Sequence, residues 1–205
     1  MTSWMTLMTN RWLPVCALLL LWMPTVTMAE QDLGGIMKAK LETILAAVNQ
    51  PAGSAQSPLF ETIDFPSITR GVLGKHRKTA SDEQRQRFQL EFQKSMINLL
   101  RAATATAGDY RIDVTGSKVS EKNPERAQAY ASVTTEDGQV IDMVASIAFL
   151  EGEWKVRNLI FGGVNLGKTY RSQFDQLVQQ HAGDLDQAIA AWAARTVEAG
   201  VAAGS

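Results

Sequence analysis

His76 and His181 are the only histidines in this 205-residue chain, and His181 with Ser172 and an aspartate such as Asp175 supplies the residue types of a nucleophilic triad. A triad needs hydroxyl and imidazole within hydrogen-bond reach. Ser172 and His181 lie nine residues apart in a helical stretch. That separation is ~13 Å along a helix axis, so the triad reading fails. No His-x-x-x-His, Cys-x-x-Cys or acidic calcium loop occurs, so no metal site is expected. There is no Gly-x-Ser-x-Gly elbow, and Gly162-Gly163 after a strand reads as a turn rather than a phosphate loop. An enzyme would need a buried Asp–His or Asp–Tyr pair. Both histidines sit in polar stretches, so no catalytic residue is expected. Two polar features remain. The basic run Lys75-His-Arg-Lys78, and Arg171 with Gln173, can meet an anionic head group or an acidic partner, or can simply be solvated surface.

The other candidate residues are apolar. Phe88, Phe92, Met96, Ile141, Met143, Ile147, Phe149, Trp154, Val156, Tyr170 and Phe174 are expected to converge between a curved sheet and its covering helices. Pattern alone leaves two readings open: a filled core, or a cavity of lipid size. Methionines in such a wall suit a variable acyl chain.

The elements that position these residues follow from periodicity. From Asp32 to Val48, apolar residues at Leu33, Ile36, Met37, Leu41, Ile44, Leu45 and Val48 have helical spacing. The Pro-, Gly- and Ser-rich stretch 49–58 reads as a loop. A short helix is expected over Asp64–Gly74, capped by Asp64 or Ser67, with Pro66 acceptable in its first turn. Ser81 caps a longer helix whose stripe is Phe88, Phe92, Met96 and Leu99-Leu100, ending near Gly108. The period then changes to two over Tyr110–Val114, Ala127–Val133, Val140–Leu150 and Trp154–Phe161. Asp137-Gly138 and Glu151-Gly152 read as tight turns, giving a four-stranded antiparallel meander. Helices over Leu166–Gln180 and Asp184–Val197 follow, with Gly183 between them. The class is α+β: N-terminal helices, a four-stranded antiparallel curved sheet, then C-terminal helices enclosing an apolar pocket.

The N-terminus has the composition of a secretory signal peptide. Arg11 precedes the apolar run Trp12–Trp22, and Thr27-Met-Ala29 offers small residues before Glu30. Residues 1–29 are therefore expected to be a signal peptide, 30–198 a single α+β domain and 199–205 a flexible tail. Cys16 is the lone cysteine and lies inside the apolar run, so lipidation and disulfides are not expected. Removing the leader leaves 19 Lys+Arg against 21 Asp+Glu, a charge that makes no case for nucleic acid or an anionic membrane surface.

Several short segments point further. They are Asp64-Phe65, Leu73-Gly74, Ala80-Ser81 through Gln84, Phe88 and Phe92, and Trp154-Lys-Val156. The C-terminal run Gly163-Val-Asn-Leu-Gly-Lys-Thr-Tyr-Arg-Ser-Gln-Phe174 and Asp184-Leu-Asp-Gln-Ala-Ile189 complete the set. In their order and spacing the chain resembles the MlaC-like (toluene-tolerance) family. The resemblance implies a periplasmic, monomeric protein that is not an enzyme and uses no cofactor. It would carry phospholipid as cargo between an outer-membrane lipoprotein–porin complex and an inner-membrane ABC transporter, maintaining outer-membrane lipid asymmetry. Two departures bear on the pocket mouth: Arg77 stands where relatives often have an aromatic, and the segment before Asp64 is short and Pro/Ser-rich. The physics of carriage needs no nucleophile. Each buried methylene contributes ~0.8 kcal/mol, so a two-chain lipid costs on the order of 20 kcal/mol to leave in water. Two rivals stay open: an interaction module with a solid core, and a small pocket enzyme.

Overall fold

The first apolar stripe folds as helix α1 (Leu33–Val48), with the Asp32 carboxylate accepting from Gly35 N–H at 3.0 Å. The computed structural model describes residues 32–48, 59, 61–106 and 110–202. The expected signal peptide, the loop 49–58, Gly108 and the last three residues of the tail lie outside the described residues.

Helix α2 (Phe65–Leu73) takes Asp64, not Ser67, as its cap: Asp64 Oδ1 accepts from Ser67 N–H at 3.1 Å. The other carboxylate oxygen lies 3.1 Å from Arg157 Nε, and Asp64 N–H donates to the Val156 carbonyl at 2.9 Å. One buried acid therefore starts the helix and ties it to the sheet. A 3-10 turn over Gly74–Lys78 leads to helix α3 (Asp82–Thr106). Ser81 and Gln84 form a reciprocal box there: Ser81 Oγ accepts from Gln84 N–H at 3.1 Å, and Gln84 Oε1 accepts from Ser81 N–H at 2.9 Å.

The sheet has five strands rather than the expected four. They are β1 (Arg111–Ser120), β2 (Asn123–Thr134), β3 (Val140–Leu150), β4 (Glu153–Phe161) and β5 (Val164–Asn165), in sequential antiparallel order. The fifth strand has two residues, too few to show alternation. Glu151 and Gly152 both have positive φ (54° and 86°) and form a two-residue hairpin turn. Asp137-Gly138 instead sits in the longer loop between Thr134 and Val140. Helix α4 (Leu166–Gln180) has the expected bounds, and α5 (Leu185–Ala202) runs past the expected Val197.

Register sorts the sheet into two faces. Ala127, Ala129 and Ala131 of β2 lie opposite Ile147, Ala145 and Met143 of β3. Val114, Ser117 and Val119 continue these rows on β1, and Leu159 and Val156 on β4. This inner face carries α1. The outer face is mixed: Gln128, Ser132, Asp142 and Ser146 alternate with Tyr130, Val144 and Ile160.

The C-terminal run is architectural. Asn165 caps α4, accepting from Lys168 N–H at 3.1 Å. Asn158 Oδ1 on β4 accepts from Gly167 N–H at 3.1 Å, and a Cβ at 167 would lie 2.6 Å from that oxygen. Arg171 Nε donates to the Gly71 carbonyl at 2.7 Å, satisfying an end of α2. Gly74, at φ 55° and ψ −121°, lets the chain leave α2 beneath Arg171, whose Cδ would lie 3.3 Å from an added Cβ. Gly74→Ala is expected to lose about 1–3 kcal/mol, because that backbone region suits glycine; urea denaturation measures it.

Candidate functional site: the inner face of the sheet

The eleven predicted lining residues do not form one set. Phe88, Phe92 and Phe174 lie in a helical cluster with Leu177, Ile189 and Trp192, and Met96 and Tyr170 pack against it. Their rings interlock: Phe88 and Phe174 centroids are 4.4 Å apart, Phe92 and Trp192 5.8 Å, Phe92 and Tyr170 5.6 Å. Trp192 Nε1 donates to Ser95 Oγ at 2.9 Å. Phe88 and Phe174 are 0 % exposed and Phe92 1 %, so protein already surrounds these rings. Burial also pushes the Tyr170 phenol up. Sequence reasoning missed Trp192, although Ala188 and Ile189, four and three residues before it, mark the same helix face.

Ile147, Phe149, Trp154 and Val156 belong to a second cluster on the sheet, with Leu33 and Met37 of α1 and the alanines Ala127, Ala129 and Ala145. Phe149 and Trp154 meet edge to face at 5.4 Å. Small side chains let α1 approach the strands closely. Those alanines were also missed: a stripe of methyl groups carries little hydrophobic signal, yet it sets the space above a sheet.

Ile141 and Met143 belong to neither cluster. They sit with Ile112, Val114, Ala131 and Val133 at the end of the inner face away from Trp154. Met143 and Ala131 are buried, whereas Ile112, Val114, Val133 and Ile141 are only half-buried. This apolar strip is less completely packed than either cluster. A cavity of about 550 Å³ reaches it between the start of α1 and β1, lined by Leu33, Ile112 and Val114 among others. A second, of about 510 Å³, reaches Val119, Ala127 and Ile147 from the β1–β2 turn, with Lys118, Lys122 and Arg126 at its rim.

The titratable groups assemble elsewhere. His76 Nε2 and Asp175 Oδ1 are 2.7 Å apart, joined by Lys75 Nζ at 2.8 Å. Sequence reasoning missed this pair because 99 residues separate its members. His76 packs edge-on against Phe174 at 6.2 Å. His181 instead faces Gln187, 3.3 Å from its Nδ1, so the triad residues are not brought together. Hydrogen bonds from Lys75 and then His76 hold the Asp175 carboxyl down at about 2. A depressed carboxylate pKa adds stability above the unfolded value near 4, and that stability is lost as pH falls toward 2. The thermal midpoint of Asp175→Asn should therefore fall less than that of the parent between pH 4 and 2, measured by calorimetry. Among the described residues no cluster of His, Cys, Asp and Glu is arranged to hold a metal, and no helix is long and apolar enough to cross a membrane.

Fold and site together define a small α+β protein whose sheet carries an apolar face beneath helix α1. The model of the MlaC protein family matches residues 29–194. The toluene tolerance protein ttg2D of Pseudomonas putida is 31% identical over 173 residues, covering 84% of this chain and 80% of that protein. A phospholipid-binding protein of Ralstonia solanacearum, solved in complex with a phospholipid, superposes with a TM-score of 0.70 at 17% identity, covering 82% of this chain and 99% of that one. The chain belongs to the MlaC family.

Proposed function

We propose that this protein is a periplasmic phospholipid carrier, exported through residues 1–29, that shuttles lipid between an outer-membrane lipoprotein–porin complex and an inner-membrane ABC transporter. The observation that carries the reading is the half-buried apolar strip at Ile112, Val114, Val133 and Ile141, on the side of the sheet that also bears α1. Family membership and the phospholipid held by the Ralstonia solanacearum protein support it. In this reading acyl chains lie along the strip over Met143 and Ala131, and no side chain acts as a catalyst. Transfer then exchanges one apolar environment for another, so the carrier lowers the barrier and its membrane partners set the direction.

Protein exported to a bacterial periplasm and purified without detergent should yield phospholipid near one equivalent on solvent extraction and mass spectrometry. A lipid-free extract from folded protein would instead favour a module that bridges envelope complexes.

A further inference from the structure

Two basic segments nearly a hundred residues apart in the sequence meet around one cavity. It has a volume of about 580 Å³ and lies between the end of α2, the 3-10 turn and α4. Arg70, Lys75, Arg77, Lys168 and Arg171 line it, against the single carboxylate of Asp175. Five cations against one anion leave +4 at one site of a chain whose overall formal charge is −1.

Only part of this charge has a structural task. Lys75 is held by Asp175, and Arg171 satisfies the Gly71 carbonyl. Arg70 reaches Ser67 Oγ at 3.2 Å and pairs with no carboxylate among the described residues. Arg77 and Lys168 are exposed, and neither side chain engages a carboxylate among the described residues. Unpaired like charges around a concavity repel one another, and the same geometry focuses a positive potential into it. Guanidinium forks and ammonium groups converging from three elements fit a compact anion with several acceptor oxygens, and Ser172 adds a hydroxyl to the lining. An extended acidic segment would need a flatter surface.

We propose that this cavity binds a phosphate ester oxyanion, carried either by a soluble ester or by a phospholipid head group. The site stands on its own charges and does not depend on where acyl chains lie.

The test uses isotopically labelled protein exported to and purified from a bacterial periplasm, titrated at constant ionic strength and followed through backbone amide shifts. Inorganic phosphate and glycerol 3-phosphate should give saturable shifts at Gly71, Gly74 and Lys168. The double variant Arg77→Gln/Lys168→Gln, which removes two exposed cations whose side chains make no ion pair or hydrogen bond among the described residues, should weaken both at least tenfold. Lys122→Gln, in the β1–β2 turn, should leave them unchanged. Short-chain phosphatidylglycerol binding tenfold tighter than glycerol 3-phosphate would assign the site to a lipid head group; equal binding would assign it to a soluble ester. Shifts that do not saturate, that spread over all surface cations, or that survive in the double variant would overturn the proposal. So would a hexaglutamate peptide that occupies the cavity when phosphate does not.

Discussion

Ile141→Glu should yield a folded protein that leaves the periplasm with about one tenth or less of the parent's lipid. Ile141 lies on the inner face of β3, opposite Val133, half-buried and outside both packed clusters. A carboxylate there displaces little protein, so the cost to folding is small. It places a charge where an acyl chain would lie, and an unpaired charge against hydrocarbon costs several kcal/mol. A loss of 1.4 kcal/mol already lowers binding tenfold. Lipid mass spectrometry gives the occupancy, and circular dichroism checks the fold. Full lipid content in folded Ile141→Glu protein would remove the strip from the binding surface. Phe92 and Ile147, also among the expected lining residues, do not suit this test: at 1 % and 2 % exposure both are packed on all sides, and a charge at either would unfold the protein first.

Phe88→Ala should do the opposite: a loss of about 3–5 kcal/mol in stability, with unchanged lipid per folded molecule. Phe88 is 0 % exposed and lies within 4.4 to 6.0 Å, ring to ring, of Phe174, Trp192 and Phe92. Its removal leaves a hole bounded by rigid rings that cannot readily close. Against a total stability of typically 5–15 kcal/mol the effect is large. Urea denaturation measures the first part and solvent extraction of the folded fraction the second. If Phe88→Ala also emptied the protein, the helical cluster would belong to the cargo surface and the division into two clusters would not hold.

That division shows where sequence reasoning stopped. The stripe Phe88, Phe92, Met96 and Leu99-Leu100 identified a helix face that the structure buries at Phe88 and Phe92, half-buries at Met96 and Leu100, and leaves exposed at Leu99. Helical periodicity does not say what lies opposite: α3 packs on α5 through Trp192, not on the sheet. The strand positions were legible because alternation and the Glu151-Gly152 turn are local signals. The two-residue β5 carries no period. Arg171 was legible as a polar residue of interest, but its partner, the Gly71 carbonyl, is 100 residues away and belongs to the backbone, so no side-chain pattern announces it. The pairing of Asp175 with His76 escaped notice because 99 residues separate the two side chains. The alanines of β2 were read as a strand, yet their part in spacing α1 from the sheet appears only once register places Ala129 beside Ala145.

Helix α1 seats Leu33 and Met37 in the sheet cluster and Ile44 and Ala47 in the helical one. It therefore works like a key cut for two locks at once. One residue inserted between Lys38 and Thr43 would turn its far half by about 100° relative to the near half. Either set of teeth would still fit alone, but the two no longer fit together. The length of this segment is thus fixed more tightly than its composition, and evolution can exchange its side chains far more freely than it can add or delete one.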